Sequence, residues 1–419
     1  MRPNPSSARP SIGLACAGGV VEGAIYEVGA LRALDEAIDG ASLHELDMYV
    51  GVSSGALIGS FLANGVSTYE LSRAIVSDAS DPSLNVEPEV LFRPAVREYA
   101  GRIRKLPGAL LRTFAHYACN PGDLSLLGLM STLGSVVPTG IFDNSGLGDF
   151  LVEAFSHNGR TNEFRELRAK LFVVAMHLDT ANISVFGDTG LDHVPISKAI
   201  QASTALPGLY CPVEIDGEHY IDGVARRTVH ASVALDAGAD LLFCINPIVP
   251  VNIQLEQHAD RLLQRNGASI ADHGLPSVLS QTFRAIVDSR KRTGFKKYEH
   301  THPNADLILI EPECDDTSLF FSNIFSFQNR QDVCEHAYQA TREHLLRRAD
   351  EIQPKLERHG LSLRKDLLKD KNRSVFSPLP GATLTNGNGL SSSPKEVFQE
   401  TSRVLDRLDS MLQQIQAAA

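Results

Sequence analysis

Between Leu46 and Gly65 the sequence reads LDMYVGVSSGALIGSFLANG, so a strand, a five-residue turn and a helix follow one another with no spacer. Met48, Tyr49 and Val50 suit a buried strand, and Ala56 to Ala63 is an apolar, helix-compatible run that Asn64-Gly65 can close in a left-handed conformation. The turn between them, Gly51-Val52-Ser53-Ser54-Gly55, has the pattern G-x-S-x-G. So sharp an entry into a helix strains the backbone of the central residue, and glycines two before and two after let the elements pack closely. Ser53 is therefore expected at the carboxyl end of its strand, its hydroxyl near the positive end of the next helix. The pattern also fits a small-residue turn with an incidental serine; the flanking strand and helix favour a nucleophile.

A similar unit precedes it. Ser11 to Ala17 predicts a short strand, and a helix with a buried face is expected from about Ala24 to Ile38. The turn between them (Gly18, Gly19, Val20, Val21, Glu22, Gly23) would expose backbone N–H groups at a helix start, where a phosphate or the oxyanion of a tetrahedral intermediate binds. The spacing is not G-x-G-x-x-G, and no acidic residue closes a second strand, which argues against a dinucleotide site. Alone the loop also fits a packing turn; beside Ser53 an oxyanion hole is the better reading.

Further strands are predicted at Leu171–Leu178, Asn182–Phe186, Tyr210–Ile215, Glu218–Ile221, Leu241–Asn246 and Leu307–Glu311. Helices are predicted at Ile196–Ser203, Leu275–Arg292 and Gln328–Arg348. This alternation implies a three-layer α/β fold, a mainly parallel sheet with helices on both faces. Residues 82–140 break the rhythm. There Val96, Tyr99, Ile103, Leu106, Leu110, Phe114 and Tyr117 form a helical stripe among arginines, interrupted at Pro107-Gly108, which suits a fixed cap or a lid that meets a lipid surface. Arg290, Lys291 and Arg292, with Lys296 and Lys297 just beyond, read as a solvated helix end or as a phosphate or membrane patch.

The expected organisation is an N-terminal tail (1–10), a main domain (11–350), a linker (351–393) and an amphipathic C-terminal helix (394–419). That last helix would dock on the body or pair chains into a homo-oligomer. A net charge of −11 argues against nucleic-acid binding. No run approaches the ~18 apolar residues of a membrane span, and the first residues lack the apolar core of a signal peptide. Cytoplasmic residence is expected, with peripheral membrane contact open. Six scattered cysteines read as reduced thiols, not as a disulfide frame or metal site.

A serine nucleophile needs a base. The late histidines His336, His344 and His359 fall on helix faces or near the looser end of the chain, and His230 is framed by no pattern. Asp222-Gly223 offers an alternative, because here an aspartate leaves a hairpin strand straight into a glycine turn. An aspartate is also an ordinary turn residue. To act as a base from a reference pKa near ~3.9 it must be held close to Ser53 and partly desolvated.

The glycine loop, G-x-S-x-G after the second strand and Asp222-Gly223 after a hairpin, in this order, resemble the patatin-like phospholipases. Asp179-Thr180 and the block Ala202 to Tyr210 ahead of Pro212 extend the resemblance, which covers Ile12 to Asn246 clearly and reaches about Arg348 loosely. It implies a lipid acyl hydrolase of the phospholipase A or lysophospholipase type, with Ser53 as nucleophile, Asp222 as base and the amides around Gly18, Gly19 and Val20 as oxyanion hole. No metal or organic cofactor is implied. Val20 stands where the family usually has a third glycine, Glu22 where it has a basic residue, and Val224 where the dyad motif has glycine or alanine. A glutamate there would repel an anionic headgroup, so a carboxylesterase or thioesterase on other esters, or a non-catalytic lipid-binding scaffold, remain as alternatives.

Overall fold

The computed structural model describes residues 9–76, 82–84, 86, 88–119, 137–253, 269–314 and 330–379. β1 (Ile12–Cys16) leads into α1 (Val20–Ala37), a short β2 (Ile38–Asp39) follows, and β3 (Met48–Val52) leads into α2 (Ser54–Ala63) and α3 (Thr68–Val76). Then come β4 (Arg93–Pro94), α4 (Val96–Cys119), β5 (Gly140–Asp143), α5 (Ser145–Phe155), β6 (Lys170–His177) and β7 (Ile183–Phe186). α6 (Ile196–Ser203), β8 (Gly208–Tyr210), β9 (Val213–Ile215), β10 (Glu218–Asp222), α7 (Ala231–Asp236) and β11 (Leu241–Ile245) follow. α8 (Gly274–Thr301), β12 (Asp306–Ile310), α9 (Arg330–Arg347), α10 (Ala349–Arg358), β13 (Ser362–Leu363) and α11 (Lys365–Lys369) complete the described chain.

β12, β11, β1, β3 and β6 are parallel neighbours in that order. Side chains of a strand point alternately to its two faces. Leu14, Cys16 and Tyr49 enter one core with α1, α2 and α9, while Ala15, Ala17, Val50 and Val52 enter another with α7 and α8. Both faces are covered, which is why these strands read as unbroken apolar runs. The result is the expected three-layer α/β fold.

Register brings two strand ends together. β3 pairs along β6 as far as Val52 opposite Val174, and β10 comes in antiparallel and ends with Asp222 opposite Ala175. β7 fills the other edge of β6 at these positions, pairing Val185 with Val174 and Ser184 with Ala175, so β3 and β10 share one edge. The chain leaves β3 at Ser53 where β10 finishes at Asp222.

Several boundaries differ from the sequence expectations. α1 starts at Val20 and not near Ala24, because the turn is completed within Gly18 and Gly19. The strand expected over Tyr210–Ile215 is split: Pro212 has no N–H for a ladder, Tyr210 pairs with Phe142 of β5, and Val213–Ile215 pairs with β10. α4 carries Pro107 without breaking and leaves Val96, Ile103 and Leu111 exposed. α8 continues to Thr301, so Lys296 and Lys297 belong to it, and it stops at His302, the residue before Pro303.

The linker expected from residue 351 is also corrected, since a compact unit extends to Ser377. Residues 349–358 form α10, β13 pairs with β2, and buried Arg342 donates to the carbonyls of Leu367 and Asp370 at 2.6 Å each. Arg32, fully buried on α1, donates to the Ser377 carbonyl. Residues 1–8, part of the 82–140 insertion and the helix expected over 394–419 lie outside the described residues. Among the described residues no helix is long and apolar enough to cross a membrane.

Candidate active site

Ser53 sits between β3 and α2 with φ 54°, a left-handed value that costs energy for any residue with a side chain. Close packing holds it there. A Cβ on Gly55 would lie 2.4 Å from the Cys16 carbonyl oxygen, and one on Gly51 2.3 Å from Ala56 Cα, so both glycines are required by contact. The Ser53 N–H donates to Ser203 Oγ at 2.9 Å, and that hydroxyl donates onward to the Val174 carbonyl at 2.6 Å. Ser203 thus bridges Ser53 and the sheet at the point where β3 departs. It stands in the Ala202–Tyr210 block, but no local pattern in the sequence points to this role.

Asp222 is 1% exposed and Ser53 7%, so the pair is nearly closed off from bulk water. Burial pushes the Asp222 carboxyl up to about 7, while hydrogen bonding from the Ser53 hydroxyl and from the Val224 N–H (2.8 Å) pulls it back. This is the desolvated, closely held aspartate that a base of this type requires. Val224, at the place of the usual small residue, is accommodated with its side chain buried and its amide serving Asp222. Gly223 presses against β6, where a Cβ would come within 2.5 Å of the Val174 carbonyl oxygen.

The glycine loop reaches the same point. A Cβ on Gly18 would lie 2.8 Å from Ser53 Cβ, so only glycine lets this backbone approach Ser53. Gly19 caps α1, and among the described residues the amides of Gly18, Gly19 and Val20 donate to no protein carbonyl. Val20 has φ 57°. The β-branched Val20 thus occupies a position whose backbone angle favours glycine.

Glu22 is buried, and α8 brings the half-buried Arg284 into electrostatic reach of it. A cation from a distant part of the chain thus stands within electrostatic reach of Glu22, a proximity for which the sequence carries no local signal.

A cleft opens beside Ser53, lined by Val20, Ala24, Leu57, Leu91, Leu147, Leu206 and Tyr210 among others. Its lining is almost wholly apolar, and Arg330, the first residue of α9, is its charged member. Burial pushes the Tyr210 hydroxyl up to about 12. Ser54 Oγ lines the cleft too, buried and without a protein hydrogen-bond partner.

His230 is buried behind the site. Desolvation lowers its pKa to about 4, so it is neutral, and its Nε2 faces the Gly223 carbonyl at 3.3 Å, not Ser53. His344 and His359 are engaged with Arg348 and Asp306. Asp179 lies in an exposed turn, its carboxylate within 4.8 Å of ligand atoms of His177 and Glu218. These three could hold a cation, although His177 already pairs with Glu218 at 2.9 Å.

A sequence model of the patatin-like phospholipases matches residues 14–235, just over half the chain and inclusive of the loop, Ser53 and Asp222. The chain belongs to the patatin-like phospholipase family. The three-layer architecture agrees with that membership, and the family is one of lipid acyl hydrolases. Among solved structures, VipD from Legionella pneumophila is 16% identical over an alignment covering 80% of this chain, with a TM-score of 0.35. The match covers 66% of VipD, just under two thirds of its length.

Proposed function

We propose that this patatin-like protein is a lipid acyl hydrolase that cleaves carboxylic esters through Ser53 and Asp222. The observation that carries the reading is a buried aspartate, tuned to about 7 and hydrogen-bonded by a strained serine, at the wall of an apolar cleft. Ser53 Oγ attacks the ester carbonyl while its proton passes to Asp222, and the amides of Gly18, Gly19 and Val20 receive the developing oxyanion. Collapse expels the alcohol, which takes that proton. Water, deprotonated by Asp222, then attacks the acyl-enzyme, and Ser53 leaves with the proton. The apolar cleft favours a long acyl chain over a small polar ester.

The test is hydrolysis of short and long p-nitrophenyl esters and of phosphatidylcholine by the wild type, Ser53→Ala and Asp222→Asn, each checked for folding. Loss in both variants, with long chains preferred in the wild type, is expected. A preference for short esters would favour the carboxylesterase or thioesterase reading. A folded wild type that neither hydrolyses these esters nor is labelled at Ser53 by a fluorophosphonate would favour the scaffold.

A further inference from the structure

The first half of α8 is amphipathic in the reverse of the usual sense, while Val287 and Tyr298 farther along it pack into the core. Several polar side chains are turned toward the protein: Gln281 bonds both backbone groups of Val251, Arg284 donates to the Val249 carbonyl, and Lys291 pairs with Asp288 and Glu311. The opposite face carries Leu275, Leu279 and Ile286, exposed by 68%, 58% and 51%, with Phe283 beside them. At 100° per residue these fall on one line, and that line continues through Arg290 to Lys297. The second half of the exposed face is thus basic, with Lys296 alongside and Arg226 adjacent through the bond from Arg290 to its carbonyl. Asp288, the carboxylate within this span, faces inward, held by Lys291 and Arg292.

The position matters as much as the pattern. Val249 and Val251 follow β11, Arg226 follows β10, and Glu311 follows β12, so α8 crosses the carboxyl ends of the sheet, where Ser53 also lies. Arg284, on its inner face, acts on Glu22 beside the glycine loop.

We propose that the outer face of α8 is a docking surface for an anionic lipid bilayer, with Leu275, Leu279, Phe283 and Ile286 entering the interface and Arg290, Lys296 and Lys297 meeting the headgroups. An exposed apolar stripe with cations on the same face is the signature of an interfacial helix. The chain as a whole carries a net charge of −11, so a general attraction to anionic lipid does not explain a cluster of this sign. A two-fold contact with a second copy would set Arg290, Lys296 and Lys297 against their own like charges or against the apolar half of the same face, with no counter-charge in either case. The acyl-hydrolase reading enters only in what docking serves, delivery of lipid to the cleft.

The experiment is co-sedimentation of the full chain with vesicles of phosphatidylcholine alone or mixed with phosphatidylglycerol. Wild type is compared with Leu275→Asp/Leu279→Asp and Lys296→Glu/Lys297→Glu, all exposed positions, and each protein is also assayed on a soluble short-chain ester. Wild type is expected to partition onto the mixed vesicles. Each double variant should lose about tenfold or more of that partitioning while its soluble-ester rate is unchanged. Absence of wild-type binding, equal binding to both vesicle types, or variants that bind like wild type would overturn the proposal. So would a wild-type dimer that Leu275→Asp/Leu279→Asp dissolves without vesicle affinity in either form, which would assign the face to a second copy. Partitioning as expected by a protein inert toward every ester would keep the docking surface and remove the hydrolase reading.

Discussion

Ser53 and Asp222 meet because two strands end against one edge of β6, β3 beside Val174 and β10 beside Ala175. β3 turns outward there and β10 stops, so Ser53 and Asp222 occupy adjoining register positions although they lie 169 positions apart in sequence. Ser203 fills the break in the ladder, and burial shapes the chemistry of the gap.

The proposed hydrolysis would take its pH dependence from Asp222. With its pKa near 7 the carboxyl must lose its proton before it can accept one from Ser53, so the rate should fall about tenfold per pH unit below that value. Asp222→Asn should lower kcat by about a thousandfold or more and abolish this limb. An acid limb that vanishes instead in a folded His230→Ala variant would identify a different base.

Stability should move the opposite way with pH. The carboxyl pKa is raised from about 4 in the unfolded chain to about 7 in the folded one, so between these values the folded state binds the extra proton. The contribution of Asp222 is fully present below about pH 4 and is lost as pH rises through 7. Asp222→Asn, which cannot ionise, should gain on wild type across that window in urea midpoints measured at several pH values. A constant difference would contradict the burial effect.

Val20 permits a test with an inverted sign. In an ordinary helix interior, alanine is more stable than glycine by about 1 kcal/mol. At φ 57° alanine keeps the left-handed penalty of about 1–2 kcal/mol and glycine escapes it. Val20→Gly is therefore expected to unfold at higher urea than Val20→Ala. The usual order would mean that this backbone angle is relaxed in solution.

Ser203→Ala should leave the Ser53 N–H and the Val174 carbonyl without their bridge in a buried place, costing about 1–3 kcal/mol. Because the lost bonds position Ser53 without contacting a substrate, the proposed hydrolysis should lose kcat with little change in KM. A stability loss with kcat intact would reduce Ser203 to a structural residue.

How much of this was legible depends on the range of the interaction. Ser53, its flanking glycines and Asp222 were readable because each belongs to a short local unit, a strand–turn–helix or a hairpin, whose residues specify its shape. The bridge made by Ser203 and the approach of Arg284 to Glu22 were not, since both arise from sheet register and helix placement over long separations. Periodicity indicated a long helix ending in cations near Arg290, but not which face would be turned inward; the hydrogen bonds of Gln281 and Arg284 decide that. The expected linker failed for a related reason. Polar composition after residue 351 says nothing about carbonyls captured by arginines elsewhere.

Those captured carbonyls determine where the domain stops. Arg342 and Arg32 are cations sealed in the interior, and their acceptors at Leu367, Asp370 and Ser377 come from the last turns of the compact unit. The segment from 365 to 377 therefore works as a plug supplied by the chain to its own interior. A chain ended at Arg364 would retain Ser53 and Asp222 yet take these carbonyl acceptors from both guanidiniums, leaving Glu36 beside Arg32 and Gln339 beside Arg342, and should unfold at markedly lower urea.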